Sequence, residues 1–204
     1  MFDLDDTLHD ASSHIFPVMN QAMTQYIMDH LNLSEDDAHT LRRYYWRVYG
    51  ATMKGLTRHH DVKPWHFLHH THQFPELAQM VVQRKRLRHW LQRLSGRKVV
   101  FTNAPKQYAE RVLDLLGIAD LFEELFSVES SQFHPKPSAR GFARMLHSIN
   151  AKASDCIMLE DSLPALMTAK RLGMKTIWIS QRLHKPSYVD LRISSVLALT
   201  HVRL

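Results

Sequence analysis

The first seven residues, Met1-Phe2-Asp3-Leu4-Asp5-Asp6-Thr7, run from an apolar start into three carboxylates and a hydroxyl. In an extended strand alternate side chains share a face, so Asp3 and Asp5 are expected to project together while Leu4 points away. Two ionised carboxylates about 4 Å apart repel by roughly 4 kcal/mol at an effective dielectric of 20. A shared proton, a cation or a basic side chain must offset that. The fragment reads equally well as a surface turn in which Asp and Thr cap a following helix. Three later stretches bear on the choice. Thr102-Asn103 follows the apolar run Val99-Val100-Phe101. Lys136 stands between Pro135 and Pro137. Glu160-Asp161 follows Cys156-Ile157-Met158-Leu159.

Those runs are the elements that must carry the polar groups. Residues 99–101, 125–128, 156–159 and 175–179 are short, apolar and partly β-branched, and read as strands. Helices are predicted between them: from Pro105 to about Leu116 with Gly117 as its stop, from the loop at Pro137 to about Ser148, and from Leu163 to Leu172 with Gly173 as its stop. Alternating strand and helix predicts an α/β fold, a Rossmann-like parallel sheet with helices on both faces. In such sheets ligands bind outside the carboxyl ends of the strands. Asp3, Asp5, Thr102, Asn103, Glu160 and Asp161 all fall at those ends, with Lys136 in a loop before a helix. Each alone has a plain explanation as a cap or a solvated lysine. Their joint placement favours one crevice with a chemical task. Only two residues precede Asp3, which predicts either an unusually short first strand or a natural chain that begins upstream.

Residues 12–92 read as all-helical and interrupt that alternation. Pro17 suits the first turn of a helix to about Leu31, with Val18, Met19, Ala22, Met23, Tyr26 and Ile27 on one stripe. Ser34 is a candidate N-cap, followed by Glu35, Asp36 and Asp37 and a helix that ends near Gly50. A helical piece over 51–58, a short helix after Pro64 and a helix from about Glu76 to Leu94 complete the segment. The predicted organisation is therefore a core of residues 1–11 and 93–204, with a helical domain over 12–92 inserted after the first strand. His59, His60, His66, His69, His70 and His72 crowd this insertion. His66, His69 and His70 could share a helix face, but no cysteine or acidic partner gives the usual zinc spacing, so a solvated, partly packed surface is the better reading. The basic run Arg84-Lys85-Arg86-Leu87-Arg88 interleaves with Leu87, Trp90, Leu91 and Leu94 at helical spacing and reads as a solvated helix face. Tyr44, Tyr45, Trp46 and Tyr49 read as core of the helical domain.

Composition narrows the class. Of 204 residues 45% are hydrophobic and 23% charged, ordinary for a soluble globular chain with a core of its own. No apolar run has the length of a membrane span, and no secretory or transit signal precedes the first motif. The single cysteine, Cys156, sits in an apolar run and is expected to pack in a reducing, cytoplasmic setting. A net charge of +6 favours an anionic partner.

Together, Phe2-Asp3-Leu4-Asp5-Asp6-Thr7, Phe101-Thr102-Asn103, Lys136-Pro137 and Leu159-Glu160-Asp161-Ser162 resemble the four ordered motifs of the haloacid dehalogenase superfamily of phosphohydrolases. The helical insertion resembles that superfamily's cap domain. More closely, Phe2 to Leu8, Tyr49 to Leu56, Val99 to Pro105 and Lys136-Pro137 are similar to the pyrimidine 5′-nucleotidase branch. The resemblance implies that Asp3 attacks phosphorus and forms an aspartyl-phosphate, and that Asp5 protonates the leaving oxygen and then takes a proton from water. It implies Mg²⁺ bound by Asp3, the backbone carbonyl of Asp5 and Asp161, with Glu160 at or near the ion. Thr102 and the amide of Asn103 would hold phosphoryl oxygens, and Lys136 would offset charge on nucleophile and phosphoryl group. The chain departs from many relatives at Ala165, where they carry a further Asp or Asn beside the metal. The expected activity is Mg²⁺-dependent hydrolysis of a small phosphorylated metabolite, a nucleoside monophosphate such as UMP or CMP, with no nucleic acid or membrane as partner. The alternatives are a phosphoglycolate or sugar-phosphate phosphatase or phosphomutase and, from another class, a catalytically silent phosphate- or nucleotide-binding module.

Overall fold

The computed structural model describes residues 1–82 and 85–201. They divide into two compact units: Ala11–Met80, and Met1–Asp10 together with Val81–Leu204.

The first of these is helical. Helix α1 (Ile15–Leu31) starts two residues before Pro17, because the Ile15 and Phe16 amides both bond the Ala11 carbonyl. Pro17 thus sits inside the first turn, where its missing N–H forfeits no intrahelical bond. Helix α2 (Glu35–Tyr49) is capped by Ser34, whose hydroxyl accepts from the Asp37 N–H at 3.2 Å, and stops at Gly50 with φ 76°. Its aromatic cluster is not uniformly core. Ala38 and Tyr45 are its buried residues, while Tyr44, Trp46 and Val48 are exposed. At 100° per residue Ala38 and Tyr45 share one face, which the other three miss. Val18 of α1 is exposed for the same reason. Helices α3 (Thr52–His59), α4 (Pro64–Thr71) and α5 (Leu77–Met80) complete the unit. Gly55 on α3 lies against Tyr45 so closely that a Cβ there would meet the ring at 2.2 Å.

The predicted helix over 76–94 is broken. It comprises α5 and a separate α6 (Leu87–Arg93), with β-branched Val81 and Val82 outside both and Arg86 at φ 75° as the α6 N-cap. Arg84 lies outside the described residues. Residues 81–92, expected in the insertion, fall in the α/β unit. Leu87 and Leu91 are buried there, and Arg88 makes a two-pronged pair with Asp120 at 2.6 and 2.7 Å.

The α/β unit is built on β1 (Val99–Phe101), β2 (Glu124–Phe126), β3 (Ile157–Glu160), β4 (Lys175–Ile179) and β5 (Leu191–Ile193), with α7 (Lys106–Leu115), α8 (Ala139–Ser148) and α9 (Leu163–Arg171) between them. Strand β1 pairs with β2, β3 with β4 and β4 with β5, all parallel. Met1–Asp3 closes the gap between the two ladders. The Phe2 N–H bonds the Val99 carbonyl at 2.9 Å and the Asp3 N–H bonds the Leu159 carbonyl at 3.0 Å, so Phe2 bridges β1 and β3 at once. Val99, Val100 and Phe101 are all buried. Alternation sends Val100 to the face opposite its neighbours, so both faces are covered. Phe101 packs edge-on against Phe126 and Phe142 within a core that includes Met145, Met158, Leu166 and Trp178. Among the described residues no helix is long and apolar enough to cross a membrane.

Candidate active site

Strand geometry delivers the site's charges to one place. Asp3 ends the short central segment, and Glu160 ends β3 beside it. The Lys136 ammonium donates to Asp3 Oδ1 and to Glu160 Oε2, both at 2.6 Å, and all three side chains are buried. Ligand oxygens of Asp3, Glu160 and Asp161 lie within 4.8 Å of one another. Glu160 is pinned from its other oxygen, which accepts from the Ser162 N–H at 3.1 Å. Asp161 is held through its backbone, whose carbonyl accepts from the Trp178 indole at 2.8 Å.

Lys136 reaches this point on a tightly folded loop. Gln132 and Phe133 both take positive φ, at 53° and 56°, and the Lys136–Pro137 peptide is cis. The Asn103 side chain donates to the Lys136 carbonyl at 3.0 Å and accepts from the Lys136 N–H at 2.7 Å. Thr102 is buried, and its hydroxyl oxygen accepts from the Ala104 N–H at 3.0 Å, which leaves its own hydrogen for an outside acceptor.

Asp5 departs from the strand expectation. The extended segment ends at Asp3, the Leu8 N–H turns back to the Leu4 carbonyl at 2.9 Å, and Asp6 sits at φ 60°. Asp3 and Asp5 therefore do not alternate along one strand, although the Asp5 charge is close enough to act on Asp3. Asp5 Oδ1 instead accepts from the Tyr108 hydroxyl at 2.7 Å and bonds His9 Nε2 at 2.9 Å. Its carboxylate stands outside the Asp3–Glu160–Asp161 set.

Burial dominates the electrostatics. It raises Asp3 to about 7, helped by the Glu160 charge and opposed only in part by Lys136. Glu160 is likewise raised to about 7 by burial, with Lys136 opposing. Asp161 rises to about 6 through burial and the Asp3 charge. For Lys136 burial works against the ammonium, but Asp3 and Glu160 outweigh it and hold the group above its ordinary range. Three carboxylates and one ammonium leave two negative charges when all are ionised. The donors are all oxygens, which fits a hard divalent cation. The histidines do not form a comparable set. His66 bonds Tyr26, His60 bonds Tyr45 and His59 bonds Tyr49, and no three of them bring ligand atoms within 4.8 Å among the described residues.

Residues 1–179 match the family model described as haloacid dehalogenase-like hydrolase. The chain belongs to that family. It is 25% identical over 189 residues to phosphate metabolism protein 8 of Saccharomyces cerevisiae, an alignment covering 85% of this chain and 58% of the yeast protein. It therefore spans little more than half of that relative's length. It is 26% identical over 189 residues to the glyceraldehyde 3-phosphate phosphatase of Pyrococcus furiosus, covering 87% of this chain and 78% of that one. The crystal structure of a phosphatase of the family from Thermococcus onnurineus superposes with a TM-score of 0.67 at 19% identity, over 98% of this chain and 94% of that one.

Several residues that shape the site had no motif to announce them. Tyr108 and His9 hold Asp5, Trp178 holds Asp161, and the Glu129 carboxylate takes the Lys106 N–H at the start of α7. His9 alone carried a local hint, standing four residues after Asp5.

Proposed function

We propose that this chain hydrolyses phosphomonoesters by passing the phosphoryl group to Asp3 and then to water, with Mg²⁺ held by Asp3, Glu160, Asp161 and the backbone carbonyl of Asp5. The observation that carries the reading is the buried Lys136 ammonium shared at 2.6 Å between Asp3 and Glu160, beside a third carboxylate. A bound divalent cation would supply charge to a phosphoryl group and keep the attacking carboxylate ionised. The chain's own residues do the rest. Asp3 forms a bond to phosphorus as the ester P–O bond breaks, and Asp5 gives its proton to the departing oxygen. Water then attacks the aspartyl-phosphate, Asp5 takes its proton, and the Asp3 carboxylate is restored with release of inorganic phosphate. Lys136 keeps Asp3 in place, and Thr102 with the Asn103 amide holds phosphoryl oxygens near the α7 N-terminus.

For substrate, the motif resemblance supports a pyrimidine nucleoside monophosphate such as UMP or CMP. The name of the Pyrococcus relative favours a second reading, a sugar phosphate. Phosphate release from UMP, CMP, glyceraldehyde 3-phosphate and phosphoglycolate, with Mg²⁺ or with chelator, separates these. Turnover that vanishes with chelator and in Asp3→Asn supports the mechanism. Mg²⁺ binding without turnover of any ester would instead make the chain a silent binding module.

A further inference from the structure

Asp5 is held in an unusual way. The Tyr108 hydroxyl and His9 Nε2 both converge on one oxygen, Oδ1, at 2.7 and 2.9 Å, and neither falls on Oδ2. When Asp5 is a carboxylate it only accepts hydrogen bonds, so in that state both partners donate and the His9 hydrogen is on Nε2. Both donors are buried, His9 completely, while the Asp5 side chain keeps 15% exposure. The other His9 nitrogen, Nδ1, is buried with no hydrogen-bond partner among the described residues. Buried side-chain nitrogens are as a rule satisfied, and an orphan one is destabilising. His9 is thus placed for its bond to Asp5 at some expense to itself. Tyr108 comes from α7, 103 residues away in the chain, and reaches the same atom. Burial first, and then the Asp5 charge, push its hydroxyl far above the usual range, so it remains a donor at every working pH.

We infer that Tyr108 and His9 are positioning residues that fix Asp5 through Oδ1, so that Oδ2 alone carries the proton exchanged in the reaction. The inference rests on the reading of Asp5 as general acid and base given above. A proton on Oδ1 would set a third hydrogen against two already aimed at that oxygen. Rotating the carboxyl to exchange its oxygens would break both bonds. In the first half-reaction the Oδ2 proton moves to the ester oxygen as the P–O bond breaks and its electron pair stays on that oxygen. In the second, Oδ2 receives a proton from the water that bonds to phosphorus as the Asp3–phosphorus bond breaks.

A misplaced acid harms only those esters whose leaving oxygen needs a proton. The test is kcat/KM, with Mg²⁺, for p-nitrophenyl phosphate, which departs as a stable anion, and for the best alkyl phosphate found for the wild type. Tyr108→Phe removes one hydroxyl and is expected to lower kcat/KM on the alkyl ester by about 10- to 100-fold, a fraction of the ~10²–10⁴ available from general acid catalysis. On p-nitrophenyl phosphate the loss should stay within about threefold by the same argument. His9→Gln retains an N–H donor and should preserve the wild-type ratio of the two rates, whereas His9→Leu should shift it as Tyr108→Phe does. The histidine pair also decides the matter should Tyr108→Phe fail to fold. Equal losses on both esters, or a ratio unmoved in every variant, overturn the inference and leave the phosphatase reading standing. A folded wild type inert on both esters overturns both.

Discussion

The Asn103 side chain and the Lys136 peptide form a closed pair of hydrogen bonds, 3.0 Å from amide to carbonyl and 2.7 Å from N–H to amide oxygen. Two motif residues 33 positions apart are therefore one mechanical unit. Asn103 fixes the Lys136 backbone at the end of β1, and the Lys136 ammonium in turn joins Asp3 to Glu160. The lysine's position is inherited from the asparagine.

Asn103→Ala should loosen that unit. Each lost bond is worth about 0.5–1.5 kcal/mol net, so stability should fall by roughly 1–3 kcal/mol. Turnover should fall further than stability, about 10- to 100-fold, because a small displacement at a positioned group costs that much. Asn103→Asp keeps the acceptor for the Lys136 N–H and loses the donor, and should lie between. Urea unfolding and phosphate release on the same samples check both numbers. An Ala variant with full activity would mean that Lys136 is placed by something else.

Lys136→Met strips from two buried carboxylates the one cation paired with them among the described residues. Removing one partner of a buried charge pair costs about 3–5 kcal/mol. The full cost should appear near pH 8, where the carboxyls are forced to ionise without a partner. Near pH 6 it should shrink, because Asp3 and Glu160, already raised to about 7 with the lysine present, take up protons instead. Denaturation midpoints at the two pH values measure the difference, and a pH-independent cost would contradict the charge argument.

The same groups set a sign for the metal-free wild type. A carboxyl raised from its ordinary value to about 7 binds more protons folded than unfolded between roughly pH 4 and 7. Its contribution to stability is complete below the unfolded value and is lost as pH climbs through the folded one. In chelator, Asp3→Asn should therefore gain on the wild type as pH rises across that window, since the amide has no proton to lose. Melting temperatures of both proteins from pH 4.5 to 8 in EDTA would show the curves diverging with pH. Added Mg²⁺ should close the gap by stabilising the wild type alone.

Where the fold was legible, the signals were local. Ser34 caps α2, Gly117 and Gly173 take positive φ after α7 and α9, and the short apolar runs form β1, β3 and β4. Each depends on neighbours in the chain. Strand β5 was not foreseen, because Leu191-Arg192-Ile193 is three residues long with a charge in the middle and has meaning only beside β4. The break between α5 and α6 interrupts a pattern whose apolar spacing suits a helix throughout. The strand pattern, taken with the three later motifs, pointed to Asp3 and Glu160 at strand ends, but not to the turn after Asp3 that carries Asp5 off the strand. Tyr108 and Trp178, which hold Asp5 and Asp161, were not legible. Each acts on a residue at least 17 positions away in the chain, and each is of a type that commonly packs without a task.

Gly141 tests how strictly the Lys136 loop is held. It lies in the first turn of α8, and a Cβ there would stand 2.2 Å from the His134 carbonyl oxygen. That oxygen is backbone, in the loop whose two left-handed residues, Gln132 and Phe133, turn the chain toward Lys136. No side-chain rotation relieves the contact, so the loop itself must shift. Gly141→Ala should cost about 1–3 kcal/mol, the usual range for overpacking. Because Lys136 follows His134 by two residues, the shift should also weaken its bonds to Asp3 and Glu160 and lower turnover. Gly96→Ala is the control. Its Cβ meets nothing within 4 Å, so it adds only the backbone strain of φ +85° at a distance from the loop. The two variants should lose comparable stability, and only Gly141→Ala should lose turnover well beyond that loss. Matching activities in the two would show that the loop absorbs the added methyl without moving its lysine.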